Sequence, residues 1–238
     1  PTPIENLREL KTLYLYKNEL SGAIPSTIGN MTKLNGLQLF SNELSGPIPP
    51  SIGRLVNLNY LILLENKLSG SIPFTIGNLT NLKSLQLTNN SFTGHLPPNI
   101  CLGGMLTKFS ANNNNFTGPI PKSLKNCSSL IRLRLDQNQF TGNMTEDFGE
   151  YPNLDYIDLS DNNLYGHLSP KWGKCYNLTS LKISNNNLSG GIPPKLGEAT
   201  NLNVLHLSSN HLTGKIPKEL GKLTLLIELL LSNNNLSG

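Results

Sequence analysis

Basic side chains with the chemistry to bind an anion stand at related positions in the middle of the chain. Lys108 and Arg132 occupy the same place in successive copies of a 24-residue repeat, and Arg134 follows shortly after Arg132. Guanidinium groups can hold a carboxylate through two parallel hydrogen bonds. Asp136 could accept a hydrogen bond from a ligand amide or hydroxyl. These residues are candidates for binding an extended peptide, and the alternative is that they are ordinary solvated charges.

Charges also alternate in sign along a second set of positions. Arg134, Asp158 and Lys182 occupy one place in three successive copies of the repeat. If these positions lie side by side on neighbouring strands, the simpler interpretation is a ladder of ion pairs between strands. Exposed pairs of this kind stabilise a fold little.

Large apolar side chains recur at the same spacing near the start of the chain. Tyr16, Phe40 and Leu64 are each one repeat apart. Together with their neighbours they could form an exposed apolar patch of a few hundred Å², a size typical of interaction sites. The alternative is that aromatic and β-branched residues merely suit strands. The full set of candidate ligand-binding residues is Tyr14, Tyr16, Phe40, Tyr60, Ile62, Leu64, Gln86, Lys108, Arg132, Arg134, Asp136 and Asp158.

The repeat itself positions all of these side chains. Its marker is an asparagine at Asn18, Asn42, Asn66, Asn90, Asn114, Asn138, Asn162, Asn186, Asn210 and Asn234. A period that continues without insertion indicates stacked, equivalent turns. We therefore expect residues 1–238 to form one solenoid of about ten repeats.

The first full copy of the repeat shows how one turn is built. Leu13 and Leu15 alternate with Tyr14, so both leucines point to one face of an extended segment. One turn offers too few apolar side chains to fold alone, which predicts parallel strands stacked about 4.8 Å apart. We expect the asparagines to form an internal ladder that satisfies main-chain groups of neighbouring turns. Gly22 and its equivalents supply a bend.

Composition and motifs argue against catalysis by this chain. The net charge of +4 arises from 19 basic and 15 acidic residues, too mild an excess to predict nucleic-acid or membrane binding. We find no phosphate loop, nucleophile elbow or metal-ligand spacing, and we expect no cofactor and no metal. The histidines lie in separate parts of the repeat, and His206, the one on a strand-face position, is interpreted as solvated. Trp172 is assigned to the core.

The three cysteines can be compared through the period. Cys101 and Cys127 are separated by one turn plus two further positions, which would place their backbones close enough for a disulfide. Cys127 and Cys175 lie two turns apart, about 10 Å by strand spacing, too far for a bond. We favour a Cys101–Cys127 bridge with Cys175 as a core thiol, against the alternative of three buried thiols.

Asn-x-Ser/Thr sequons predict glycosylation at several places. Asn30, Asn78 and Asn126 share one position of the return segment, where sugars would leave the strand face open. The complete set is Asn30, Asn78, Asn89, Asn115, Asn126, Asn143, Asn177, Asn187 and Asn235.

The two ends of the chain fall inside repeats, and solenoids need polar caps. We therefore expect an interior piece of a longer protein. No signal peptide is visible, and no run reaches the roughly 18 apolar residues that a membrane helix requires.

The repeat LxxLxLxxNxLxGxIPxxIGN resembles the plant-specific class of leucine-rich repeats along the whole chain. That resemblance implies an α/β solenoid, a right-handed superhelix with a parallel β-sheet on its concave face and short 3₁₀ or irregular segments on its convex face. The stretch from Asn99 to Gly221 is similar to the middle of the ectodomain in the male-discoverer-interacting receptor-like kinase (MIK) group.

This narrower resemblance implies a single-pass plasma-membrane receptor with a cytoplasmic Ser/Thr kinase. Its extracellular part would bind a secreted peptide on the inner face. It would also recruit a co-receptor of the somatic embryogenesis receptor kinase type, for signalling in immunity or development. The alternative is a soluble secreted inhibitor or scaffold, similar to the plant polygalacturonase-inhibiting proteins.

Overall fold

The structure is a computed structural model that describes residues 4–148 and 150–238. The chain forms two compact units, residues 1–116 and 117–238, and each unit is described by itself. The expectation of one continuous solenoid stays a prediction. No helix in the described ranges is long and apolar enough to span a membrane.

The first unit alternates short strands with 3₁₀ helices (η). In chain order its elements are η1 Ile4–Asn6, β1 Thr12–Tyr14, β2 Ser21–Ala23, η2 Ser26–Asn30, β3 Gly36–Gln38, β4 Glu43–Gly46, η3 Pro50–Arg54, β5 Tyr60–Ile62, β6 Lys67–Gly70, η4 Phe74–Asn78, β7 Ser84–Gln86, β8 Ser91–Gly94 and β9 Lys108–Ser110, and β10 Asn115–Gly118 begins in this unit.

The second unit repeats the same alternation, with two short α-helices among its connections. Its elements are α1 Lys122–Lys125, β11 Arg132–Arg134, β12 Gln139–Phe140, α2 Met144–Asp147, β13 Tyr156–Asp158, β14 Tyr165–His167, η5 Pro170–Lys174, β15 Ser180–Lys182, β16 Asn187–Gly190, η6 Pro194–Glu198, β17 Val204–His206, β18 His211–Lys215, η7 Lys218–Lys222, β19 Glu228–Leu230 and β20 Asn235–Ser237.

Each unit contains a main parallel sheet whose strands follow chain order. The order is β1-β3-β5-β7-β9 in the first unit and β11-β13-β15-β17-β19 in the second. Leu13 lies opposite Leu37 and Leu61 opposite Leu85, so the pairing register equals the period of the sequence. We call the outward surface of each main sheet its strand face. The predicted stacking of parallel strands is confirmed.

A second parallel ladder follows the asparagine in each turn. In the first unit it runs through β2, β4, β6, β8 and the start of β10. In the second unit β14, β16, β18 and β20 pair in the same way. The connections between turns therefore also stack in register.

Leucine side chains from successive turns form the core. Leu37, Leu61 and Leu85 are fully buried. Phe109 and Ala111, which replace the usual leucine pair, are also fully buried, so one larger and one smaller side chain fill the layer as predicted. Trp172 is 1% exposed, which confirms its assignment to the core.

The asparagine ladder is present as predicted. Asn66 Nδ2 lies 3.0 Å from the carbonyl oxygen of Leu39 in the preceding turn and 3.2 Å from that of Leu63 in its own turn, and it donates to both. Its Oδ1 accepts from the main-chain N–H of Leu44, again in the preceding turn, at 3.0 Å. One side chain thus satisfies main-chain groups of two turns, where the strand ladder ends.

The backbone bends at the predicted glycine, since Gly22 has a φ of 83°, and also at a residue that the sequence did not indicate, directly before the repeat asparagine. Glu65, which precedes Asn66, has a φ of 56°. The equivalent residue before each repeat asparagine has a φ between 52° and 57° and is never glycine. Such a conformation is uncommon for these residue types, so the bonds of the adjacent asparagine must outweigh the local cost.

A glycine in the return segment lets successive turns approach closely. A Cβ atom added to Gly53 would lie 2.5 Å from the carbonyl oxygen of Thr75 in the next turn. Lys125 occupies the same place in its own repeat, and there the connection is the α-helix α1 in place of a 3₁₀ helix.

We predict that Asn114→Ala destabilises the protein by about 3 kcal/mol, because it leaves several buried main-chain groups without partners. In the native structure Asn114 donates to the carbonyls of Leu87 and Ala111 and accepts from the N–H of Phe92. The shift of the urea midpoint measures the loss. The control is Asn81→Ala, which removes one exposed bond to Val56 and should cost under about 1 kcal/mol. Equal losses in the two variants would contradict the role of the ladder.

Candidate functional site

Three aromatic rings lie next to one another on the strand face of the first unit. The rings of Tyr16 and Phe40 are stacked, with centroids 4.4 Å apart and planes 6° apart. Tyr14 lies 6.5 Å from Tyr16 at a tilt of 44°. Tyr14 and Tyr16 are 49% and 42% exposed. We call Tyr14, Tyr16 and Phe40 the aromatic shelf, and its geometry confirms that positions one period apart are aligned.

A hollow of about 470 Å³ lies beside the aromatic shelf on the same strand face. Its lining combines apolar and polar side chains, and we call it the amphipathic hollow: Gln38, Phe40, Tyr60, Ile62, Leu64, Lys83, Ser84, Gln86, Thr107 and Lys108. The candidate residues Phe40, Tyr60, Ile62, Leu64, Gln86 and Lys108 are brought together here. Ile62 was expected to be exposed, but it is only 8% exposed.

Four of the lining residues are not among the candidates that the sequence indicates. Gln38 and Ser84 lie within β3 and β7, whereas Lys83 and Thr107 directly precede β7 and β9. Only positions within or after each strand were compared. A comparison of the residues that directly precede each strand in successive repeats would have indicated Lys83 and Thr107.

Several polar groups of the hollow already have partners. Gln86 Nε2 donates to Ser84 Oγ at 3.1 Å, and Thr107 Oγ1 donates to the carbonyl oxygen of Lys83 at 2.9 Å. The lysine side chains of the hollow, unlike these groups, have no such partner, because no ion pair within the described residues involves Lys83 or Lys108. The hollow therefore presents two unpaired ammonium groups beside an apolar surface.

The strand face of the second unit carries a partly buried ion pair. Arg134 donates to Asp136 through Nε at 3.1 Å and through a terminal nitrogen at 2.9 Å. The side chain of Asp136 is 7% exposed. Burial raises the pKa of the Asp136 carboxyl, although the hydrogen bond from Arg134 opposes the rise. Burial lowers the pKa of Arg134, but the hydrogen bond to Asp136 and the nearby negative charges of Asp136 and Asp158 together outweigh burial, and the net pKa is raised.

Tyr156 connects the other charges of this surface. The Arg132 guanidinium carbon lies 3.9 Å from the centre of the Tyr156 ring, and Lys182 Nζ lies 6.0 Å from it. The Tyr156 hydroxyl donates to Asp158 Oδ2 at 3.3 Å. Burial and the Asp158 charge raise the pKa of Tyr156, so its phenol stays protonated as a donor. Arg132, Arg134, Asp136, Tyr156, Asp158 and Lys182 form what we call the charged cluster.

The predicted ladder of ion pairs through Arg134, Asp158 and Lys182 is wrong. Arg134 pairs with Asp136 just beyond its own strand, because alternate side chains of an extended segment project from the same face. Asp158 accepts from Tyr156, and its other oxygen accepts from the main-chain N–H of Ser160 at 3.1 Å. Positions one repeat apart lie on neighbouring strands, so comparing them does not reveal a pair that forms along one strand.

The environment of the His206 side chain also differs from the one predicted. Its side chain is 15% exposed, and Nε2 lies 2.8 Å from Glu228 Oε2. It is therefore paired and largely covered, not solvated. Among the residues that the structure describes, no group of histidine, cysteine and acidic side chains could hold a metal ion.

The predicted glycosylation sites are largely at the surface. Asn30, Asn78, Asn89, Asn115, Asn126, Asn177, Asn187 and Asn235 are exposed. Asn143 is half-buried, and its side chain accepts a hydrogen bond from the N–H of Thr145 at 3.0 Å. Asn177 donates to the carbonyl of Pro152 at 2.7 Å, a bond that would compete with a sugar. Which sites carry glycans stays a prediction.

Comparison with known sequences identifies the repeat. The profile described as Leucine Rich Repeat matches residues 9–31, 33–55, 81–102, 105–127, 153–175, 177–199 and 201–223. The chain belongs to the leucine-rich repeat family. No curated protein sequence matches the chain. The leucine-rich repeat is not a catalytic fold.

Solved structures of plant receptors share this leucine-rich repeat fold. The ectodomain of the Arabidopsis receptor kinase HAESA, in complex with an IDA peptide hormone, is 36% identical with a TM-score of 0.94, over 98% of this chain and 39% of that chain. The plant peptide hormone receptor RGFR1, in complex with RGF2, is 33% identical with a TM-score of 0.85, over 98% of this chain and 41% of that chain. This chain spans about two fifths of the length of these two receptors.

Two further matches show how varied the ligands of this fold are. A structure of HAESA with IDA and the co-receptor SERK1 is 31% identical with a TM-score of 0.74, over 100% of this chain and 52% of that chain. A plant ice-binding protein is 30% identical with a TM-score of 0.78, over 100% of this chain and 76% of that chain. Since a leucine-rich repeat can serve such different ligands, the exposed side chains must decide the function.

We predict that Arg134→Ala destabilises the protein in a pH-dependent manner. The variant leaves Asp136 buried without its counter-charge, so the pKa of Asp136 rises further above the unfolded value of about 3.9. Because the folded state then binds its proton more tightly, the variant resembles the native protein near pH 4 and loses stability as pH rises. We expect a loss of about 2 kcal/mol at pH 7, below that of a fully buried pair because Arg134 is 31% exposed.

Urea unfolding at pH 4 and pH 7 measures this difference. Arg134→Lys, which keeps the positive charge, is the matched control and should show a smaller pH dependence. A loss of equal size at both pH values would indicate missing packing and not an uncompensated carboxylate.

The Cys101–Cys127 disulfide stays a prediction, while Cys175 is a free and buried thiol as expected. Mass mapping of peptides from the unreduced protein, alkylated only after unfolding, should recover the Cys101 and Cys127 peptides linked and Cys175 alkylated. Recovery of all three cysteines alkylated would exclude the bridge.

Proposed function

We propose that this chain is part of the extracellular, ligand-sensing region of a plant receptor-like Ser/Thr kinase of the MIK group. A secreted peptide binds the strand face of the first unit, and a co-receptor of the somatic embryogenesis receptor kinase type is then recruited for signalling in immunity or development. In this proposal the chain lies on the outer side of the plasma membrane, and the kinase and membrane span belong to the rest of the protein.

The observation that carries the proposal is the aromatic shelf beside the amphipathic hollow. Tyr14 and Tyr16 remain about half exposed. Later repeats place Ser160, Ser184 and Ser208 at the position of Tyr16. Serine at that position is compatible with the same strand and register, so the aromatic residues are explained better by a ligand than by folding.

The scaffold favours binding of an extended peptide. Strands of the main sheet are held in register by the strand pairs and by the asparagine ladder, so the strand face loses little freedom on binding. Affinity then depends on a few anchors that fill defined spaces. Phe40 belongs to both the aromatic shelf and the amphipathic hollow, which makes it the central anchor.

The charged cluster of the second unit stays a separate candidate contact surface. Arg134 and Asp136 already satisfy each other, which leaves Arg132 as the more available cation. Arg132 lies over Tyr156 and has no carboxylate partner within the described residues. A peptide carboxylate could therefore bind Arg132 without breaking an existing ion pair.

We predict that Phe40→Ala in the complete ectodomain weakens peptide binding at least tenfold, since a buried aromatic anchor contributes about 2 kcal/mol or more. The test passes the secreted peptides and proteins of plant tissue over the immobilised ectodomain and identifies the retained molecules by mass spectrometry. Calorimetry with a retained peptide then gives the affinity of each variant.

The matched control is Phe74→Ala, because Phe74 is 64% exposed and lies on a return segment. Its removal should leave the affinity unchanged. Equal affinities for native protein and the Phe40 variant would reject the strand-face site. Retention of a pectin-degrading enzyme with no peptide would favour the alternative of a secreted inhibitor.

A further inference from the structure

The chain contains a long segment without acidic side chains. Residues 66–135 include no aspartate and no glutamate, although lysine and arginine continue to occur there. Within the first unit this segment carries Lys67, Lys83 and Lys108. Lys67 reaches back to Glu43 of the preceding turn at 3.0 Å. Lys83 and Lys108 have no acidic residue in their own turns.

Lys83 and Lys108 are placed on one rim of the amphipathic hollow. Lys83 directly precedes β7 and Lys108 begins β9, so both lie at the amino ends of neighbouring strands. Phe40 and Leu64 follow β3 and β5, at the opposite ends of the strands. The hollow therefore has a basic rim and an apolar rim, and none of its lining residues is acidic.

The polar groups of the hollow that have no hydrogen-bond or ion-pair partner indicate which class of ligand it can bind. Ser84 accepts from Gln86, and Thr107 donates to a main-chain carbonyl, so these hydroxyl groups already have partners. Two ammonium groups with no carboxylate nearby repel each other and favour a single anion between them. The apolar rim favours an aliphatic or aromatic group.

We propose that the amphipathic hollow selects an acidic peptide side chain together with an apolar one. The carboxylate binds between Lys83 and Lys108, and the apolar side chain packs on Ile62 and Leu64. This inference rests on the proposed function and adds the class of peptide. β5 and β9 are two strand spacings apart, about 10 Å, which an extended peptide crosses in about three residues.

The electrostatic attraction between the two lysines and the ligand carboxylate should affect selectivity and the rate of association more than the total affinity. Exposed lysine–carboxylate pairs contribute little when isolated, but here two lysines share one carboxylate beside an apolar surface. We expect that replacing the acidic residue by its amide weakens binding about tenfold. We also expect added salt to reduce the affinity of the acidic peptide and not of the amide peptide.

The test uses the complete ectodomain and a library of short random synthetic peptides with acetylated and amidated ends. Bound peptides are sequenced by mass spectrometry. We expect enrichment of aspartate or glutamate about three residues from leucine, isoleucine or phenylalanine. The enrichment of acidic residues should disappear with the variant Lys83→Gln/Lys108→Gln. The control Lys67→Gln should keep it, because Lys67 is paired with Glu43 and does not line the hollow.

The outcomes separate this inference from the proposed function. The inference would be overturned if the bound peptides showed no enrichment of acidic residues, or if the enrichment persisted in the Lys83 and Lys108 variant. In either case the proposal that the protein is a peptide receptor would stand. A parallel library with free carboxyl ends distinguishes the source of the anion. Enrichment confined to that library would assign the lysines to a terminal carboxylate and contradict a side-chain site. Retention of no peptide in either library would overturn both proposals.

Discussion

The side-chain amide of the repeat asparagine is the interaction on which the structure depends. At the end of each main strand the backbone leaves the parallel ladder, and the carbonyl groups there lose their strand partners. Asn66 bonds to carbonyl groups of its own and the preceding turn and accepts from a main-chain N–H of that preceding turn. Asn42, Asn90, Asn114, Asn162, Asn186, Asn210 and Asn234 repeat the arrangement. Without such a group, each turn would bury unsatisfied polar atoms.

Because the ladder fixes the register, the strand face is free to vary. The core leucines and the asparagine satisfy the fold, so the outward residues can be serine in one turn and tyrosine in another. The aromatic shelf and the charged cluster are two results of this freedom in two separate units. In the first, stacked rings stay accessible. In the second, most charged groups have partners within the surface itself, as the bonds of Asp136 and Asp158 show.

The fold followed from the sequence because every turn repeats the same local problem. The regular period gave the register, and the spacing of Leu13 and Leu15 gave the buried face. Geometry within one turn was harder to predict. A second bend, besides the predicted one at the glycine, lies at Glu65 and its equivalents, where the residue type varies and carries no conformational signal of its own. The pairing of Arg134 with Asp136 was not predicted, because equivalent positions of successive repeats lie on neighbouring strands, whereas these two residues belong to one turn. The basic rim of the hollow was found only in part, since Lys83 lies before its strand.

The close contact at Gly53 has a consequence for how such a protein can change in length. A single methyl group there would collide with the main chain of the following turn, and a single inserted residue would place the next asparagine beside the wrong carbonyls. Small insertions within a turn are therefore penalised twice, by sterics and by lost hydrogen bonds. Duplication or deletion of a whole module escapes both penalties, so the gene can lengthen or shorten its array only in complete steps.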